Sequence, residues 1–193
     1  MYIIVNLLAW ITIIIGALIV RKRVKKKAFG VAIIGLTFIV VGVLSLKINN
    51  SLLYDTPEDV MQYLFRGEMV DIVEGPDSCC VVTRKDNSSS EVTLLRKVEN
   101  KYRLLAGTEQ KSETIHADSG EFIVILSVDG TADAYAYGVF FEPAGNGIEI
   151  QDTNGTVFRK MVTETGYSKN SVLAYAYIGQ VDEDYGVHVT YAP

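Results

Sequence analysis

Two histidines, two cysteines and a run of three carboxylates are the residues of this 193-residue chain best suited to chemistry. His116 and His188 fall far apart in segments of strand periodicity, with no HExxH pattern and no Cys/His cluster beside them. A zinc ion needs three or four nitrogen, sulfur or oxygen ligands held together, so no metal site is expected. Ser119-Gly120 lies near His116 in sequence, but the Gly-x-Ser-x-Gly elbow that presents a nucleophile is missing. A Ser-His-Asp triad assembles from distant positions, which keeps a hydrolase as the second reading. Cys79 and Cys80 are adjacent. Neighbours on a strand point to opposite faces, so a disulfide between them is strained, and they read as small packing residues. Asp182-Glu183-Asp184 is the densest acidic cluster. It lacks the spaced ligands of a calcium loop and reads as a solvated turn, as does Asp152-Thr153-Asn154-Gly155. No catalytic, cofactor-binding or metal-binding residue is assigned, and no cofactor is expected.

One aromatic pattern repeats. Ala134-Tyr135-Ala136-Tyr137 returns as Ala174-Tyr175-Ala176-Tyr177. On a strand, each copy sets two tyrosines on one face and two alanines on the other. The alanine face admits a closely packed neighbouring layer. Tyr135, Tyr137, Tyr175 and Tyr177 are therefore the candidate binding face, of the kind that meets a glycan or peptide. The competing expectation is cross-strand packing in a core with wet hydroxyls.

The elements that must carry these residues fall into two compositional halves. Residues 1–46 contain no acidic residue and six basic ones: Arg21, Lys22, Arg23, Lys25, Lys26 and Lys27. The rest of the chain carries all 23 acidic residues, so a half at +6 is joined to one at −11. The acidic half repels phosphates, which argues against a nucleic-acid partner. Residues 2–20 and 28–46 are uncharged, mostly apolar runs. Each is long enough, at about 1.5 Å per residue, to cross a hydrocarbon layer of about 30 Å as a helix. The expectation is a two-helix transmembrane hairpin over 1–46. Its basic turn, 21–27, stays cytoplasmic and both termini lie outside. The lipid bilayer is then one partner, and another membrane protein docking on small-residue faces is a further one.

Residues 47–54 read as a connector to an extracytoplasmic β-rich (α+β) domain over 55–193. Thr56 followed by Pro57 and Asp59 marks a helix start, Val60, Met61, Leu64 and Phe65 form its apolar face, and Gly67 ends it. Beyond Gly67 the period changes to two. Strands are expected near 69–74, 79–84, 91–98, 102–106, 114–117, 122–128, 132–141, 148–151, 157–162, 172–178 and 186–191. Turn chemistry separates them, strongest at Asp129-Gly130 and Asn154-Gly155. Short strands at this spacing predict an antiparallel meander, sandwich or open barrel. A split into two subdomains near 107–113 is a second arrangement that the polar composition there allows.

The functional expectation is a membrane-tethered, extracytoplasmic binding, sensory or accessory module of a bacterial cell envelope, without enzymatic activity. It would contact another membrane protein or an envelope glycan or peptide. The alternatives are a surface hydrolase acting on envelope material and a structural subunit of a larger membrane complex.

Overall fold

A computed structural model describes residues 51–64, 67–86, 89–143, 147–164 and 169–191, together with isolated helical positions at Trp10, Ile14, Gly16, Leu18, Gly35 and Gly42. Two compact units divide the chain, Met1–Leu52 and Leu53–Pro193. The second is described here by itself.

The expected transmembrane hairpin must be corrected. Among the described residues no helix is long and apolar enough to cross a membrane. The one continuous helix among the described residues, α1 at Pro57–Leu64, has 8 residues. At 1.5 Å per residue it is roughly 12 Å long, less than half of a bilayer core. The two-span topology with both termini outside is therefore not supported. The runs 2–20 and 28–46 lie outside the described residues apart from the isolated positions. So does the basic turn, with Arg21, Lys22, Arg23, Lys25, Lys26 and Lys27.

What is described is mostly β-sheet. Thr56 caps α1: its Oγ1 accepts from the Asp59 backbone N–H at 3.2 Å and donates to the Asp59 carboxylate at 2.9 Å. Pro57 opens the helix, where its missing N–H costs nothing. Val60 and Met61 turn inward. Thr56→Ala removes the cap and should lower stability by about 1 kcal/mol, read as a shift of the urea midpoint at constant slope. No shift would show that packing alone holds the helix.

Four strands then form a meander: β1 (Glu68–Glu74), β2 (Ser78–Arg84), β3 (Ser90–Val98) and β4 (Lys101–Leu104). Val98 pairs with Lys101 across a two-residue turn in which Glu99 and Asn100 both take positive φ. That twist suits the strand twist, and asparagine tolerates the conformation. Seven more strands follow: β5 (Gln110–His116), β6 (Phe122–Val128), β7 (Ala134–Pro143), β8 (Ile148–Asp152), β9 (Arg159–Glu164), β10 (Lys169–Tyr177) and β11 (Val187–Tyr191). Five of these make a sheet in the order β5-β6-β7-β10-β9, and β8 pairs with β11.

The period-two alternation of the strands assigns the layers. On β2, Cys79 and Val81 join Val60 and Met61 of α1 in one core cluster. Cys80 and Val82 point the other way and join Leu126, Tyr135, Leu173 and Tyr175 of the five-stranded sheet. The opposite face of that sheet presents Ala134, Ala136, Ala174 and Ala176, which pack with Ile148, Ile150, Val187 and Val189 of the β8–β11 pair. The order is helix, four-stranded sheet, five-stranded sheet, two-stranded sheet. Alanine on the inner side lets the last pair sit close, because it adds almost no volume to the interlayer space.

The link from β4 to β5 is fixed by one carboxylate. Glu109 receives two hydrogen bonds from Arg103, at 2.7 and 2.6 Å, and one from the Ala106 N–H at 2.9 Å. Arg103 first, and then Ala106 against the opposing effect of burial, holds Glu109 down at about 2. A depressed carboxyl stabilises the fold fully above its ordinary value of 4.5, and that contribution is lost as pH falls through about 2. The stability difference between the parent and Glu109→Gln should therefore shrink on acidification across this window in urea titrations. A difference that stays flat would place the effect of Glu109 elsewhere.

Candidate interaction surface

The tyrosine repeats sit together in the middle of the molecule. β7 and β10 pair antiparallel with Tyr137 opposite Tyr175, Ala136 opposite Ala176 and Tyr135 opposite Tyr177. Tyr135 is 1 % exposed and Tyr175 is 3 % exposed, while Tyr137 and Tyr177 are half-buried. The rings of Tyr135 and Tyr177 meet edge-on at 5.4 Å. Their common face is turned onto the four-stranded sheet, so most of this aromatic area is core.

Three of the four hydroxyls, those of Tyr135, Tyr175 and Tyr177, are hydrogen-bonded, because a buried phenol without a partner loses its water for nothing. Tyr175 donates to Asp71 at 2.9 Å, and Arg159 clamps the same carboxylate at 2.9 and 3.0 Å. A bulge in β1 between Met69 and Asp71 re-aims the chain at this point. Burial opposes ionisation of Asp71, but the bonds from Arg159, Tyr175 and the Ile72 N–H outweigh it and hold the carboxyl below its ordinary value. At the other end Asp133, 1 % exposed, accepts from Ser78 Oγ at 2.6 Å, from the Asp77 N–H at 2.9 Å and from Tyr177 at 3.2 Å. Tyr135 completes the group through Ser78 at 2.9 Å. Two carboxylates, one from each side of the boundary, therefore fasten the two sheets through the repeated tyrosines.

The residues with catalytic potential do not converge. His116 lies against the Phe122 ring, centroids 4.7 Å apart. His188 Nδ1 sits 2.8 Å from Asp118, both exposed. That pair has the geometry of a general base with its orienting carboxylate, but the nearby Ser119 hydroxyl donates to Glu121 instead of facing the imidazole. Cys79 and Cys80 are free and buried, one on each face of β2. Burial pushes both thiols up, Cys80 to about 12, so neither is a nucleophile at neutral pH. Asp152 closes its own turn on the N–H groups of Asn154 and Thr156. Among the described residues no group of three or more His, Cys, Asp or Glu is placed to hold a metal ion.

A different apolar surface is open. The face of the five-stranded sheet that carries the tyrosines continues along β7 to Val139 and Phe141, and along β6 back to Phe122. Ile123 lies opposite Gly138, which brings Phe122 beside Val139. Cover from the four-stranded sheet stops short of these positions: Phe122 is 62 %, Phe141 61 % and Val139 50 % exposed. Together they present roughly 300 Å² of apolar area, the lower end of the size of the largest patch on a typical monomer, which is often functional. No family model, curated protein or solved structure matches this chain. Sequence reading did not single out Phe122, Val139 and Phe141, although the alternation that places the tyrosines extends straight to Val139 and Phe141.

Proposed function

We propose that the unit 53–193 is a non-enzymatic binding module that docks a partner protein on Phe122, Val139 and Phe141. The observation carrying this reading is that three large apolar side chains share one face of the five-stranded sheet and are all at least half exposed. Apolar anchors surrounded by polar residues supply most of the energy at protein interfaces. The patch is smaller than the roughly 800 Å² that each partner contributes to a standard interface, so it is the centre of a contact completed by neighbouring groups. The hydrolase reading has less support, because the Asp118–His188 pair lacks an aligned nucleophile.

Retention of partner protein by the immobilised full chain tests this. The parent should hold a discrete protein that the Phe122→Ser/Phe141→Ser variant loses by tenfold or more, with an unchanged melting temperature. Equal retention by both, or none by the parent, would contradict the reading.

A further inference from the structure

We infer that the docked partner supplies an extended segment bearing lysine or arginine, which adds along the free edge of β5. This rests on the docking surface proposed above and names the chemistry of its partner. β5 ends the five-stranded sheet: β6 pairs with it from Gln110 opposite Val128 to His116 opposite Phe122, and no described strand pairs with its other edge. An open edge is a row of backbone donors and acceptors ready for another strand.

The two faces of β5 differ. His116 lies on the Phe122 side, beside the open apolar patch. On the other side, Glu113 and Ile115 border a groove of about 430 Å³. Ile115, Ile125, Val181 and Tyr185 line its apolar wall, and Glu113, Asp182 and Glu183 supply its charge. Elsewhere in the unit, carboxylates beside strands carry cations: Asp71 has Arg159, Glu74 has Lys97 and Glu109 has Arg103. The three groove carboxylates form no ion pair among the described residues.

They are not gathered closely enough to hold a metal ion. Spread along an apolar wall, they instead suit the long side chain of lysine or arginine, whose stem covers aliphatic surface while its head meets carboxylates. A strand added to β5 turns alternate side chains to its two faces. One set then reaches toward Phe122 and the other reaches the groove. The segment that fits alternates apolar with basic residues.

A fluorescent seven-residue peptide alternating valine and lysine is the probe, with the valine–glutamate peptide as its control. The full chain should bind the lysine peptide, lose affinity as salt rises, and leave the glutamate peptide unbound. Glu113→Gln/Glu183→Gln should weaken binding tenfold or more, and amide exchange across 110–116 should slow on binding. Both glutamates are exposed, so the variant's melting temperature should stay unchanged. Equal affinity of parent and groove variant, binding of the glutamate peptide, unchanged exchange in β5, or no binding at all would overturn the inference. Phe122→Ser separates the two ideas. If it abolishes partner retention while the groove variant has no effect on the peptide, the docking surface stands and the basic segment falls.

Discussion

Asp133→Ala should destabilise the unit by about 3–5 kcal/mol, the cost of leaving several buried donors without their shared acceptor. The carboxylate accepts from Ser78, from Tyr177 and from the Asp77 backbone, and it is shut away from water. Truncation leaves two hydroxyls and one N–H without their acceptor, and each stranded buried donor costs about 1–3 kcal/mol. The donors come from both sheets, so the loss falls on the boundary between them. Asp133→Asn keeps the shape and one acceptor oxygen but turns an NH₂ toward existing donors, so it should cost less than alanine and more than zero. Urea unfolding of both variants measures this. An Asp133→Ala cost under 1 kcal/mol would mean that the network is solvated and the sheets are held by apolar packing alone.

Tyr135→Ala is the second large effect, about 3–5 kcal/mol, as for other buried aromatic truncations. The ring fills space between Leu126, Val128 and Leu173 in the central cluster. Tyr135→Phe isolates the hydroxyl: Ser78 keeps Asp133, so the cost should be near 1 kcal/mol. Phe141→Ala, on the same strand and the same face, should stay within about 0.5 kcal/mol because its ring is already in water. Thermal melts of the three variants should separate in that order. Equal effects of Tyr135→Ala and Phe141→Ala would mean that the layer boundary on β7 is misplaced.

The same two strands show what was legible beforehand. Period-two alternation located the strands within a few residues and put both tyrosines of each repeat on one face. It also flagged the alanine side as a place of close approach, which the β8–β11 pair occupies. It did not say which side is wet, because up to Tyr137 both sides are covered. The continuous apolar run of β2, Cys79 to Val82, carried that signal: a strand buried on both faces has no polar alternation. Gly75 was legible only as a turn residue. Its actual constraint is crowding, since a Cβ there would lie 2.5 Å from the Tyr135 hydroxyl and 2.8 Å from Asp133. Asp133 itself reads as one more polar residue after Asp129-Gly130, and its burial depends on a sheet formed more than fifty residues earlier. The two membrane spans were read from the length and apolar character of 2–20 and 28–46 and the basic turn between them, and among the described residues no helix is long and apolar enough to cross a membrane.

Hydroxyl-radical footprinting of the full native chain, read residue by residue by mass spectrometry, tests the central claim that on this one sheet face the wet end is Phe122–Val139–Phe141 and the dry end is the tyrosine repeat. Phe122 and Phe141 should be oxidised rapidly, at rates near those in the urea-unfolded chain, and Tyr135 and Tyr175 should be strongly protected. Protected phenylalanines with readily oxidised Tyr135 and Tyr175 would contradict it, and would return the repeat to the surface as the binding face.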